Sequence, residues 1–181
     1  YFNSDKGEKY INQYTHPSKK TKIKIQAHGY SRYYKDIFYP IKNEKLNIIE
    51  IGSFYGNASA ALFFYFKKSK IYGADINTDM FRYKADRVES LYVNSSSLTS
   101  IKNELINKNI KFDIIIEDAS HMLKDQIISL FYLFPTLLLL YSSYHVIFVL
   151  YSSLHLQFFI YYFENMLFVL HLFQLHLFHP L

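Results

Sequence analysis

Two short stretches of this 181-residue chain contain groups that could bind or react with a small molecule. The first is residues 52–56, where Gly52 and Gly56 enclose a turn that follows an apolar run at residues 46–51. The glycines allow backbone angles and a close ligand approach that a Cβ would prevent. A helix beginning directly afterwards would present unpaired N–H groups to the ligand. This arrangement is typical of a nucleotide-binding turn.

The second stretch is residues 118–121, which begins with Asp118 and ends with His121. A neutral histidine can take up a proton near pH 7, which suits it to act as a general base. A carboxylate such as that of Asp118 is a hard oxygen ligand of the kind that magnesium prefers. The alternative is structural: Asp118 would cap the helix that begins near Met122, and His121 would pack in its first turn.

An alternation of strands and helices is expected to position both stretches. The predicted strands cover residues 48–51, 70–74, 91–93 and 112–116, and the predicted helices cover residues 32–38, 58–66, 78–88, 98–107 and 122–139. Strands separated by helices in this way predict an α/β fold with a parallel sheet and helices on both faces. Ligands of such sheets bind outside the carboxyl ends of the strands, near the switch point.

Asp75 follows the second predicted strand, some twenty residues after the glycine turn. A carboxylate at this place can accept hydrogen bonds from the vicinal hydroxyls of a ribose; the alternative is that Asp75 caps a turn or the next helix. The pattern E-x-G-x-x-x-G has one glycine fewer than the dinucleotide fingerprint, and no Tyr-x-x-x-Lys pair follows it. We therefore expect an adenosine pocket and disfavour an NAD-dependent oxidoreductase.

These residues resemble the class I S-adenosylmethionine-dependent methyltransferases. Residues 50–56 look like the family's first motif, which cradles the methionine end of the cofactor, and Asp75 looks like its ribose-binding acid. The resemblance implies a Rossmann-like fold and S-adenosylmethionine as cofactor. The cofactor-binding residues it implies are Glu50, Gly52, Ser53, Gly56, Asp75, Ile76, Asn94 and Ser95. The last two stand where the family contacts the adenine, without its usual acid.

Residues 112–121, with Asp125 and Gln126 after them, resemble a narrower branch: the metal-dependent macrolide-sugar O-methyltransferases of the mycinamicin and macrocin types. This resemblance covers residues 4–140, with shorter matches at 4–7 and 28–30. It implies His121 as the general base, Asp118 as a catalytic residue and magnesium ligand, and a small-molecule hydroxyl, such as that of a glycoside, as the acceptor.

The branch carries a further Glu-Asp pair, and here that pair falls on Phe148 and Val149, whose side chains bind no cation. A catalytically defective or truncated methyltransferase is therefore the alternative. From Gln126 to the end of the chain, Glu164 is the only charged residue. The tail could be a membrane span, a buried helix pair or the product of a frameshift. The frameshift is favoured because charge disappears where the resemblance stops.

Three segments are expected: a helical and loop segment at 1–45, an S-adenosylmethionine-binding domain at 46–140 and an atypical apolar tail at 141–181, with a sheet that is incomplete at its C-terminal strands. The net charge of +5 lies mostly on predicted helix faces and in loops, which favours a solvated surface over a nucleic-acid site. No cysteine and no signal-peptide pattern are present, and the chain begins at Tyr1. We expect a cytoplasmic protein and a fragment, and leave its oligomeric state open.

Overall fold

The computed structural model describes residues 12–15, 22–25, 31–133, 146–151, 156–162 and 167–172, and side-chain surroundings within residues 34–133. At the N-terminal end, β1 (Asn12–Thr15) pairs antiparallel with β2 (Lys22–Ile25). The helix α1 (Ser31–Phe38) follows, at the place the sequence predicts. The motif matches at 4–7 and 28–30, and the predicted helix beyond residue 133, lie outside the described residues.

A seven-stranded sheet forms the centre of the described structure. Its strands are β3 (Asn47–Ile51), β4 (Lys70–Asp75), β5 (Val88–Tyr92), β6 (Ile114–Glu117), β7 (Val146–Tyr151), β8 (Leu156–Tyr162) and β9 (Leu167–Leu172). They lie in the order β5-β4-β3-β6-β7-β8-β9. The five strands β3 to β7 run parallel to one another, whereas β8 pairs antiparallel with β7 and β9 pairs antiparallel with β8. The predicted parallel α/β sheet is confirmed.

The strand order reverses at β3. Ile49 of β3 stands opposite Tyr72 of β4 on one side and Ile115 of β6 on the other. The chain leaves β3 toward β4 and β5, and later returns to the opposite side as β6. The turns after β3 and β6 therefore lie side by side at a switch point, which is where α/β sheets bind ligands.

Helices cover both faces of the sheet, as predicted. They are α2 (Asn57–Tyr65), α3 (Leu98–Ile101), which continues into a π-helical turn (Lys102–Ile106), and α4 (Leu123–Leu133). Because side chains alternate along a strand, each strand feeds two cores. One core contains Phe38, Leu46, Ile48, Leu62, Phe66, Ile71, Ile114 and Ile116. The other contains Ile49, Ile51, Leu91, Ile101, Leu105, Ile115 and Leu133.

The connection between β4 and β5 differs from the prediction, and the predicted helix at residues 78–88 is wrong. A 3₁₀ turn (Thr78–Met80) is followed by extended chain, and β5 already begins at Val88. The Phe81 side chain is buried, and its ring fills the space over Gly56 and Gly73 that a Cβ at either glycine would enter. Arg87 donates hydrogen bonds to three carbonyl oxygens, one within α2 and two in the connection from α2 to β4. Long-range contacts therefore shape this connection.

The apolar tail also differs from expectation, because β7, β8 and β9 extend a sheet that the sequence predicts to be incomplete. In β7, Phe148 and Val149 stand opposite Ile115 and Ile116 of β6. Because residues 146–151, 156–162 and 167–172 form strands, the helix-pair interpretation is wrong for these parts of the tail. The divisions after residues 45 and 140, and the origin of the tail, stay predictions.

Within the described residues, no helix combines the length and apolar character that crossing a membrane requires.

Candidate functional site

The turn after β3 packs directly on the turn after β6. Gly52 has φ +89°, and a Cβ there would overlap the carbonyl group of Asp118 and the Cα of Ala119. The Gly52 N–H donates to the carbonyl oxygen of Ala74 at 2.8 Å, which ties the same turn to β4. Only glycine meets both demands, left-handed backbone and contact with a neighbouring backbone. The glycine turn predicted from the sequence is therefore in direct contact with the loop after β6.

Asp75, at the end of β4, holds the glycine turn through its carboxylate. One oxygen, Oδ2, accepts the N–H of Phe54 at 2.8 Å, and Oδ1 accepts the N–H of Asn77 at 2.9 Å. Phe54 has φ +48°, so the turn contains a residue in left-handed conformation that this bond helps to hold. A carboxylate offers about four acceptor positions. Two bonds therefore leave room for the two hydroxyls of a ribose.

The three other residues predicted from this motif occupy two different places. Gly56, with φ +81°, closes the turn, and its N–H donates to the carbonyl oxygen of Ser53 at 2.8 Å. The Ser53 hydroxyl is buried and has no hydrogen-bond partner among the residues described. Glu50 is also buried, but its Oε2 accepts the hydroxyl of Ser59 at 2.6 Å and so joins β3 to α2. Ser53 is the member of this set with a polar atom left for a ligand.

The loop after β5 lies beside Asp75. The N–H of Val93 donates to the Asp75 carbonyl oxygen at 3.0 Å, and the Asn94 side chain accepts the N–H of Ser96 at 3.0 Å. Ser95 is buried, whereas Ile76 is exposed and presents apolar surface next to Asp75. The predicted cofactor-binding residues Ile76, Asn94 and Ser95 thus follow the neighbouring strands β4 and β5.

The loop after β6 brings the two predicted catalytic residues together. The Nε2 atom of His121 lies 3.7 Å from Oδ1 of Asp118. The imidazole is 42% exposed, whereas the Asp118 side chain is 7% exposed. His121 has φ +57°, an unfavourable backbone conformation for a residue other than glycine. An exposed ring next to a nearly enclosed carboxylate is an arrangement that can accept a proton and stabilise the resulting charge.

Glu117, directly after the predicted strand at residues 112–116, is a residue of this site that the sequence analysis did not single out. Its side chain is fully buried, and neither oxygen makes a hydrogen bond of good geometry with the described residues. The pKa of Glu117 is raised to about 7, mainly because burial disfavours the charged carboxylate. The charges of Asp118 and Asp125 add to this rise, whereas the Ala119 N–H and the Gln126 side chain oppose it. The available signal was an acid that ends an otherwise apolar strand.

Asp125, quoted above only as part of a motif, joins two loops. Its Oδ2 accepts the hydroxyl of Ser120 and the hydroxyl of Ser96, each at 2.6 Å. These two bonds hold the pKa of the Asp125 carboxyl below its usual range. The residue lies in the first turn of α4 and is buried. Spacing could not reveal this cluster, because Ser96 and Asp125 are distant in the chain.

The described residues do not complete a magnesium site. No group of three or more His, Asp or Glu side chains among them is placed to hold a metal ion. The neighbouring strand β7 contains no acid in its sequence. A single carboxylate holds magnesium poorly, because the ion requires several hard oxygens in octahedral array. Asp118 as a metal ligand stays a prediction.

Known proteins similar to this chain are methyltransferases. The chain is 28% identical over 117 residues to the 8-demethyl-8-alpha-L-rhamnosyl tetracenomycin-C 2'-O-methyltransferase of Streptomyces olivaceus. The aligned region covers 61% of this chain and 30% of that protein. No family model matches. The MycE methyltransferase of the mycinamycin biosynthetic pathway, solved with Mg and SAH, superposes with a TM-score of 0.57 at 21% identity, covering 67% of this chain and 32% of MycE.

A third similar protein comes from a different source. The putative protein-L-isoaspartate O-methyltransferase of Plasmodium falciparum, solved with S-adenosyl-L-homocysteine, superposes with a TM-score of 0.51 at 14% identity, covering 79% of this chain and 69% of that one. The fold is thus the Rossmann-like class I methyltransferase fold, and the predicted resemblance to the macrolide-sugar branch is confirmed. The chain corresponds to less than two thirds of the tetracenomycin enzyme and of MycE.

Proposed function

We propose that this chain is the cofactor-binding part of an S-adenosylmethionine-dependent O-methyltransferase that acts on a hydroxyl of a small molecule, with a sugar hydroxyl as the acceptor. One observation carries the proposal: the turn that Asp75 holds is the turn that packs on the loop of Asp118 and His121. A ribose-binding acid and a candidate base thus meet at one switch point. The similarity to a rhamnosyl 2'-O-methyltransferase supports the choice of a sugar.

The residues present fit the cofactor. Asp75 keeps acceptor capacity for the ribose hydroxyls, and the buried Ser53 hydroxyl lacks a partner among the described residues. Ile76 and Asn94 would border the adenine, from the ends of neighbouring strands. When bound, S-adenosylmethionine supplies a methyl group on a positively charged sulfur. The chain's own task is then to orient the acceptor hydroxyl and remove its proton.

His121 is the residue that would take this proton. A neutral imidazole accepts the proton of a hydroxyl as that oxygen attacks, and general-base catalysis of this kind contributes about 10²- to 10⁴-fold. The Asp118 carboxylate, 3.7 Å from Nε2, would stabilise the imidazolium that forms and orient the ring. The described residues supply too few oxygen ligands for magnesium, so no step here depends on the ion.

Calorimetric titration of the full chain with S-adenosylhomocysteine and with NAD tests the cofactor. We expect binding of the former and none of the latter. Asp75→Ala should weaken S-adenosylhomocysteine binding about 100-fold, because hydrogen bonds to a charged group are lost. Asp79→Ala, which removes an exposed carboxylate four residues later, is the matched control and should bind as the wild type does. Binding of NAD alone would refute the proposal and favour an oxidoreductase.

A second assay separates an active enzyme from a defective one. Radiolabelled S-adenosylmethionine is incubated with the chain and methyl rhamnoside, a simple sugar that presents vicinal hydroxyls. Methyl transfer to the sugar supports the proposed acceptor class. Cofactor binding without any transfer would support the alternative of a methyltransferase-fold protein that has lost turnover.

A further inference from the structure

We propose that Asp125 is a positioning residue that couples the loop after β5 to the loop after β6, so that cofactor binding at the first loop fixes the backbone of His121 in the second. The inference rests on the proposed function for the identity of the ligand. It goes beyond that function because Asp125 touches neither the cofactor-binding residues nor the base directly in the bonds described above.

The coupling is physical because a single oxygen serves both loops. Ser96, from the loop after β5, and Ser120, from the loop after β6, donate to the same Oδ2 of Asp125 at 2.6 Å. Hydrogen bonds to an ionised carboxylate are shorter and roughly twice as strong as neutral ones. Asp125 is buried, and both hydrogen bonds are partly shielded from water. A shift of either loop therefore strains the bond to the other.

On the β5 side, the connection reaches a predicted cofactor residue. The Ser96 N–H donates to Oδ1 of Asn94 at 3.0 Å, while the Ser96 hydroxyl donates to Asp125. Ser96 is thus held at both its backbone and its side chain. Ordering of Asn94 by a bound adenine would be transmitted through Ser96 to Asp125.

On the β6 side, the connection encloses His121. The Ser120 hydroxyl donates to Asp125 and accepts the N–H of Met122 at 3.2 Å, and the Asp125 N–H donates to the Met122 carbonyl oxygen at 2.9 Å. The residues before and after His121 are therefore both fixed to Asp125. The left-handed conformation of His121 costs about 1–2 kcal/mol and persists only where its surroundings hold it.

Hydrogen exchange of the ligand-free chain tests the coupling first. Ser96→Ala should speed exchange of the amides at residues 118–122 about threefold or more, although the deleted hydroxyl belongs to the other loop. Ser120→Ala should do the same for residues 94–97. The matched control is Asp113→Ala, which removes another buried carboxylate, one that accepts the Asn47 N–H at 2.7 Å near the opposite end of the sheet. It should change neither loop beyond any global effect.

Exchange with saturating S-adenosylhomocysteine tests the consequence for His121. In the wild type, the ligand should protect residues 52–56 and 118–122. Asp125→Ala should keep the first protection and lose the second, and Asp125→Asn, which retains an acceptor oxygen, should restore part of it. A helix-stabilising role alone would leave both protections in place.

The outcomes distinguish the two proposals. If the wild type does not bind S-adenosylhomocysteine, the proposed function fails, and the ligand-free exchange of the serine variants still decides the coupling. If Ser96→Ala changes only its own loop, the coupling is refuted. Should Asp125→Ala fail to fold, the two serine variants, which leave the carboxylate in place, give the answer.

Discussion

The two turns at the switch point are held in place in different ways. The first turn, defined as residues 52–56, is held by backbone N–H groups that donate to Asp75 and Ala74. The second turn, defined as residues 117–121, contains a left-handed histidine and a buried glutamate without a good hydrogen-bond partner in the described structure. The backbone of the first turn is therefore tied to β4, although this turn too contains a left-handed residue, Phe54. In the second turn the left-handed residue is the candidate base itself, and strain of this kind clusters at sites that react.

This difference separates binding from chemistry within one site. A satisfied, glycine-hinged backbone provides a fixed surface for a cofactor. A strained backbone with a titratable, half-exposed imidazole provides a group that can exchange a proton. We therefore expect variants of the first turn to act mainly on cofactor affinity, and variants of the second turn to act on turnover and on the pH dependence of stability.

The largest effect is expected where the two turns touch. Gly52→Ala would place a Cβ on the Asp118 carbonyl group in a left-handed backbone, so the free energy of unfolding should fall by about 4 kcal/mol. Gly56→Ala is the comparison, because its Cβ would meet the side-chain ring of Phe81 and not a neighbouring backbone; it should cost about 2 kcal/mol. Urea denaturation measures both. Equal costs would show that contact between the turns does not matter.

Glu117 predicts a pH effect that belongs to the second turn. Its folded-state pKa of about 7 exceeds the ordinary value of 4.5, so between these values the folded protein holds a proton that the unfolded chain has released. The Glu117 contribution to stability is therefore fully present below pH 4.5 and is lost as the pH rises to 7, by about 3 kcal/mol. Glu117→Gln has no proton to release at this position, so urea denaturation should show no such fall in its free energy of unfolding between pH 4.5 and 7.

The control for Glu117 is an exposed glutamate. Glu44→Gln should follow the wild-type pH dependence, because the Glu44 side chain lies in solvent. If the free energy of unfolding of Glu117→Gln falls between pH 4.5 and 7 as steeply as that of the wild type, the buried carboxyl is hydrogen-bonded in solution. The second turn would then not contain the unpartnered acid that distinguishes it from the first turn.

The smallest effect on stability is expected in the first turn. Ser53→Ala removes a buried hydroxyl without a partner among the described residues, so stability should change by less than about 1 kcal/mol. Its affinity for S-adenosylhomocysteine should nevertheless fall several-fold.

Ser59→Ala is the opposite case, because it deprives buried Glu50 of a 2.6 Å hydrogen bond, and it should cost about 1–3 kcal/mol of stability. Thermal denaturation and calorimetry separate the two. Unchanged affinity in Ser53→Ala would exclude the hydroxyl from the pocket.

The first turn could be predicted from the sequence because local patterns determine it. A β-branched run ending at Gly52 specifies a buried strand and a turn, and an acid after the next strand lies beside that turn when the two strands are adjacent, as β3 and β4 are here. The predicted helix at residues 78–88 failed because Phe81 packs over Gly56 and Gly73, a contact that the local sequence does not specify. The strands of the tail were missed because an apolar run of low complexity does not distinguish strand from helix.

The second turn could be predicted only in part. The spacing of Asp118 and His121 suggested their proximity, but the positive φ of His121 has no local signature, because histidine does not require it. The raised pKa of Glu117 depends on complete burial, and the role of Asp125 depends on serines from two loops. Both are tertiary properties that emerge only when the loops meet.

The most direct test of this account measures cofactor affinity and methyl transfer on the same two variants. Asp75→Ala should weaken S-adenosylhomocysteine binding about 100-fold. His121→Ala should bind it within about twofold of the wild type and lose methyl transfer to methyl rhamnoside by about 10²-fold or more. A loss of cofactor affinity in His121→Ala as large as that in Asp75→Ala would contradict the separation of binding and chemistry between the two turns.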